Sequence, residues 1–194
     1  MNYLVVSSHP YEGSFNAAVA KTVVETVSKN GHSVECIDLV KDGFNPLMTG
    51  QDLLQWRKGQ IDDPLVLKYK AAIDKADIVV FPIPLWWASM PAALKGFCDK
   101  VFQLGWAYSY GPNGTMIGLL KNKKAVVITT MQTPNDYYNN QLQNPITGSF
   151  IKDTLQTCGF EVLKHFQIDQ IATGGRAHAE EKLNEIRDYC FHFK

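Results

Sequence analysis

Ser14 and Asn16 stand just after Gly13, where a short apolar run, Tyr3-Leu4-Val5-Val6-Ser7, gives way to Ser8-His9-Pro10 and then to helical spacing. Short hydroxyl and amide side chains at a helix start, beside a glycine able to take φ > 0, can cradle a phosphate. Exposed backbone N–H groups and the helix dipole supply the positive end, so no lysine is needed. An N-cap role for Ser14 accounts for the same residues, and from this loop alone both readings stand. His9 could donate to such a phosphate, although a lone histidine in a turn more often holds the turn. The loop carries neither GxGxxG nor GxxxxGKS/T, which argues against a Rossmann dinucleotide fingerprint and a nucleotide-hydrolysing P-loop.

A second constellation is Pro82-Ile83-Pro84-Leu85-Trp86-Trp87-Ala88-Ser89-Met90-Pro91. Two adjacent tryptophans at the end of a buried strand cannot both enter the core, so at least one faces a crevice or a partner chain. A wide aromatic face bracketed by prolines suits a flat heteroaromatic ligand, and Trp is equally at home in a dimer hot spot. Thr129-Thr130-Met131 offers hydroxyls and backbone donors at a third strand end. A phosphate cradle, an aromatic shelf and a polar wall at one edge suit a flavin mononucleotide or dinucleotide, which carries hydride chemistry without an acid–base residue of the protein. No nucleophile elbow, HExxH or carboxylate pair competes with this reading.

These loops need a scaffold that brings them together. Residues 3–7, 33–40, 77–81, 124–130 and 160–168 read as five strands, each apolar throughout. Between them, Phe15, Val19, Val23 and Val27 mark a helix over residues 14–28. Further helices are expected over 65–76, from Pro91 through Phe102, over 150–158, and at the end, along Leu183, Ile186, Cys190 and Phe193. Residues 41–63, with Gly43, Pro46, Gly50 and Gly59, leave room for a short helix around 51–57. Strands alternating with helices five times predict a parallel sheet covered on both faces, an open doubly wound α/β domain that binds ligands outside the carboxyl ends of its strands.

The chain has 194 residues, 45% hydrophobic and 20% charged, with 19 Lys+Arg against 19 Asp+Glu. That length and composition predict one globular domain over residues 1–194 and are too short for an eight-stranded barrel. Zero net charge argues against a nucleic-acid partner. Cys36, Cys98, Cys158 and Cys190 lack zinc-ligand spacing, and no metal is expected. No apolar run is long enough for a membrane span or a signal peptide, so a cytoplasmic location is expected. Asn113-Gly114-Thr115 reads as a turn. His32, His165, His178 and His192 read as surface or structural residues.

The joint order of Ser8-His9-Pro10, Ser14-Phe15-Asn16, Pro84-Leu85-Trp86-Trp87, the run from Met90 through Phe102, Ala107-Tyr108-Ser109-Tyr110 and Thr129-Thr130 resembles the flavodoxin-like NAD(P)H:quinone oxidoreductases over nearly the whole chain. The resemblance implies a flavodoxin-like three-layer α/β/α fold with a five-stranded parallel sheet in the order 2-1-3-4-5. It implies a homodimer with interface sites and ping-pong transfer of two electrons from NAD(P)H to a quinone. His9, Ser14, Phe15 and Asn16 would hold the flavin phosphate and ribityl. Pro84, Leu85, Trp86 and Trp87 would border its ring, with Thr129, Thr130 and Met131 on the other edge. Tyr108 and Tyr110 would line the substrate cavity from the second subunit.

The chain departs from better-known members in carrying Met131-Gln132 where they have two glycines. Those members also have a Tyr and a His that assist hydride transfer. Tyr137 or Tyr138 can supply the Tyr, and no His follows before His165. FMN and FAD both stand, with the phosphate loop favouring FAD. Two other classes share the fold: an ancillary subunit of a potassium-efflux system, which would have a transporter as partner, and a one-electron carrier. Carriers of that kind are generally acidic, which the zero net charge disfavours. The same neutrality implies that a bound phosphate is held mainly by backbone dipoles and short polar groups around residues 13–16.

Overall fold

A computed structural model describes residues 1–58, 60 and 62–192; Gly59 and Phe193, named above, lie outside the described residues. Five strands, β1 (Asn2–Ser7), β2 (Ser33–Asp38), β3 (Ile78–Pro84), β6 (Lys124–Thr130) and β7 (Glu161–Ile168), form a parallel sheet in the order β2-β1-β3-β6-β7. Counting only these five, the order is the expected 2-1-3-4-5.

Two helix layers cover the sheet. On one face, α1 (Phe15–Lys29) and α6 (Gly175–Phe191) pack Val19, Val23, Val27 and Ile186 against Val5, Val80 and Ile128. On the other, α3 (Pro64–Lys75), α4 (Ala92–Val101) and a π-helical segment (Thr147–Gln156) enclose Phe81, Ile83, Phe97 and Phe150. Each such fully buried side chain contributes roughly 1.5–3 kcal/mol.

The structure revises the expected elements at several points. β3 is buried along its whole length, whereas edge strands β2 and β7 are largely half-exposed and carry Glu35, Glu161 and Lys164. An edge strand has solvent where an inner one has a neighbour, so only the inner strands need be apolar throughout. β2 stops at Asp38, whose carboxylate accepts from the amides of Val40 and Lys41 and turns the chain. The helix expected from residue 150 starts at Thr147 with π geometry, held by Thr154 and Thr157 hydroxyls donating to carbonyls five residues back. Pro91 sits just outside α4 rather than in its first turn, with ψ 151°, and its carbonyl accepts from Lys95.

α2 (Gly50–Arg57) is the short helix expected around residues 51–57, opened by a Thr49–Asp52 capping box. Three further short elements have no periodic signal of their own. A short antiparallel hairpin joins β4 (Tyr108–Tyr110) to β5 (Met116–Gly118), with Gly114 in its turn at φ 73°. A short α5 (Asn135–Asn140) follows β6.

Candidate active site at the carboxyl edge of the sheet

The loop after β1 ends in Ser14, the N-cap of α1, whose hydroxyl accepts from Ala17 N at 3.1 Å. Capping therefore occurs, and it uses only one of the amides at this helix end. Ala18 N closes onto Ser14 O, which leaves the Phe15 and Asn16 amides open at the positive end of a 15-residue helix. The Phe15 ring packs into the apolar layer beneath α1, so any role at the site belongs to its backbone.

Ser8 Oγ and Asn16 Oδ1 are buried without a hydrogen-bond partner among the described residues. Buried polar atoms are rarely left this way, and both belong to the segment that runs from β1 into α1. His9 Nδ1 accepts from Tyr11 N at 3.0 Å, which places the proton of a neutral ring on Nε2 and makes it a donor. Gly13 does not take φ > 0, contrary to the sequence-based expectation. Its lack of a side chain has another cause: a Cβ there would lie 2.5 Å from the Tyr11 ring.

After β3, residues 86–89 make a tight turn closed at both ends by Trp86 N→Ser89 O (2.9 Å) and Ser89 N→Trp86 O (3.1 Å). Trp87 (φ 52°) and Ala88 (φ 61°) both occupy left-handed conformations. Neither is glycine, and each carries a strain of about 1–2 kcal/mol. The turn holds the Trp87 side chain wholly in solvent, 101% exposed, and sets the Trp86 ring edge-on to His9 at 5.7 Å. Strain of this kind collects where a fixed shape matters.

The loop after β6 forms the facing wall. Thr130 Oγ1 accepts from Asn16 Nδ2 at 3.2 Å, and Leu85 N donates to Thr130 O at 2.8 Å, so all three strand ends are tied together. Thr129 points the other way. Its hydroxyl donates to Phe166 O and accepts from His165 Nε2, within the β6–β7 side of the sheet. Burial holds His165 down to about 4, so the ring stays neutral there.

Between the walls lies a cavity of about 710 Å³ lined by Leu85, Trp86, Trp87, Met131, Tyr137 and Leu142, among others. Tyr138, beside Tyr137, is fully buried; its hydroxyl donates to Ala88 O and accepts from Ile146 N. Tyr137, by contrast, is exposed where it lines the cavity.

Gln132 also borders the cavity, yet both ends of its amide are engaged, accepting from Ala172 N (2.8 Å) and donating to Thr173 Oγ1 (2.9 Å). The larger residues at 131–132 thus zip the loop after β6 to the loop after β7. A second brace holds α5: Asn135 N donates to Asp169, and Asn139 and Gln167 exchange amide hydrogen bonds. Long-range amide pairs have no local pattern, so sequence reasoning missed these supports.

Tyr108 and Tyr110 are not brought to this cavity within one chain. Tyr108 lines a separate groove of about 440 Å³ with Leu53, Trp56, Phe102, Met116 and Cys158, and Tyr110 is exposed on the same hairpin.

A family model for the flavodoxin-like fold matches residues 1–190. A Haemophilus influenzae protein described as an uncharacterized NAD(P)H oxidoreductase is 31% identical over 163 residues, which are 83% of this chain and 80% of that protein. The rat ribosyldihydronicotinamide dehydrogenase (quinone) is 30% identical, covering 92% of this chain and 84% of its own. Among solved structures, the NAD(P)H:quinone oxidoreductase from Methanothermobacter marburgensis superposes with a TM-score of 0.88 at 25% identity, over 100% of this chain and 99% of that one. With the strand order and the three tied loops, these matches show that the chain belongs to the flavodoxin-like NAD(P)H:quinone oxidoreductase family.

Proposed function

We propose that this protein is a flavin-dependent NAD(P)H:quinone oxidoreductase working by ping-pong two-electron transfer. One observation carries the reading: an open helix N-terminus, where Ser8 Oγ and Asn16 Oδ1 are buried without a partner among the described residues, is tied by Asn16–Thr130 and His9–Trp86 to the sheet edge that holds the tryptophan-walled cavity. Those features fit a flavin, with its phosphate and ribityl at the first and its ring at the second. A bound flavin supplies reversible uptake of a hydride, and the overall reaction is NAD(P)H + quinone + H⁺ → NAD(P)⁺ + hydroquinone.

The amides of Phe15 and Asn16, the Ser14 hydroxyl and His9 Nε2–H hold the phosphate without a cationic side chain. The rigid turn at residues 86–89 and Met131 border the ring. Trp86, Trp87 and Leu142 exclude water and stack on whichever flat partner occupies the cavity. Donor and acceptor use one cavity in succession, which supports alternation over simultaneous binding. Tyr137 Oη hydrogen-bonds a quinone oxygen and steadies it as charge develops. FMN and FAD both satisfy the helix end, and the likeness of the phosphate loop favours FAD.

A second copy of the chain completes the site. Leu53, Leu54, Tyr110, Met116 and Ile117 form an exposed apolar surface around the groove that holds Tyr108, and a homodimer covers it. The hairpin then presents Tyr108 and Tyr110 to the neighbouring cavity. Use of NAD(P)H fits a cytoplasmic protein, and no helix among the described residues is long and apolar enough to cross a membrane. The test is whether purified protein carries or takes up a flavin and oxidises NAD(P)H faster when a quinone is added. Absence of flavin after reconstitution removes the proposal.

A further inference from the structure

Resting on the quinone-reductase reading, the cavity says more about the acceptor. None of the described residues that line it is charged, and its polar members are Gln132, Thr133, Tyr137 and Tyr138. Gln132 has its amide oxygen and one of its two N–H donors committed to the 169–174 loop, and its remaining N–H is neutral. The α5 segment beside the cavity carries one acid and is held by another. Asp136 lies on α5, and Asp169 accepts from Asn135 N at 2.8 Å. Arg176, at the start of α6, faces solvent and is engaged by Glu180 at 2.7 Å.

The hairpin that a second copy would add is equally neutral, since residues 104–120 contain no Asp, Glu, Lys or Arg. From these observations we infer that the site selects its acceptor by charge. It takes flat, uncharged aromatic quinones and rejects acceptors bearing a ring-bound anion, including sulfonated azo dyes, together with metal oxyanions. Moving a sulfonate from water into this cavity, which has neutral donors and no cation, loses hydration that those donors replace only in part. NAD(P)H escapes the penalty because only its neutral nicotinamide need enter, while its phosphates stay in solvent.

The test compares 1,2-naphthoquinone with its 4-sulfonate on the flavin-loaded protein, by kcat/KM and by equilibrium binding read from quenching of tryptophan fluorescence. The neutral quinone should lead by at least about tenfold in both. Leu142→Lys, which brings a cation to the cavity, should narrow that ratio several-fold. Equal or better binding of the sulfonate overturns the inference, as does a ratio that Leu142→Lys leaves unmoved. Charge-selective binding with neither compound reduced upholds the inference and removes the quinone-reductase reading instead.

Discussion

Asn16 donates through Nδ2 to Thr130 Oγ1 across 3.2 Å of space and 114 residues of chain, in a buried contact. It fastens the open end of α1 to the loop that walls the cavity, while its own Oδ1 stays unpartnered. The helix end and the cavity wall are thereby held in fixed relation.

Asn16→Ala should weaken flavin binding while leaving the fold intact. One hydrogen bond of this kind is worth about 1 kcal/mol, so the flavin dissociation constant should rise roughly fivefold or more. Fluorescence titration with flavin checks this, with circular dichroism as the control for folding. Unchanged affinity would show that the contact does not shape the flavin site.

The turn at Trp87-Ala88 should respond to glycine. Ala88→Gly removes left-handed strain at φ 61° and should raise the unfolding free energy by up to about 1 kcal/mol, net of the extra freedom glycine has when unfolded. Ala88→Val should lower it. Chemical denaturation of the three proteins measures both effects, and the opposite order would show that the turn is not strained.

His165 should make stability depend on acid. Its folded value lies near 4, below the ordinary value of about 6.5, so between the two the unfolded chain binds a proton that the folded one does not. Stability therefore rises with pH across this window: it is fully present above about 6.5 and lost as pH falls toward about 4, by at most roughly 3 kcal/mol. His165→Gln, which can still donate to Thr129, should flatten that slope. Denaturation at a series of pH values across the window reads it.

Gln132→Ala should loosen the loop after β7 without touching the sheet. Two hydrogen bonds are lost, and amide exchange at Ala172 should quicken by roughly tenfold. Hydrogen–deuterium exchange resolved to residues 169–174 decides this. Protection equal to that of the parent protein would assign the loop's order to other contacts, such as Ile171 N→Met131 O.

The periodicity of Val19, Val23 and Val27, and the apolar runs at Leu4-Val5-Val6 and Ala125-Val126-Val127-Ile128, were legible because burial on one helix face or inside a sheet imposes a repeat. The edge strands broke that pattern because half of their surface meets water. In the site, Ser14 and Asn16 were readable from local chemistry, and the exposed Trp pair from its incompatibility with a core. Thr129 and Thr130 looked alike in sequence, and strand alternation sends one hydroxyl to His165 and the other to Asn16. Gly13 reads as a glycine able to take φ > 0, and the structure instead packs the far end of the exposed Tyr11 ring against it.

The most direct measurement is anaerobic double mixing of the flavin-loaded protein, first with NAD(P)H and then with a neutral naphthoquinone, following the visible flavin band. The account predicts that NAD(P)H alone bleaches the band, and that the quinone restores it after the oxidised nicotinamide has left. A band that NAD(P)H does not bleach, or that stays bleached in excess quinone, would contradict it.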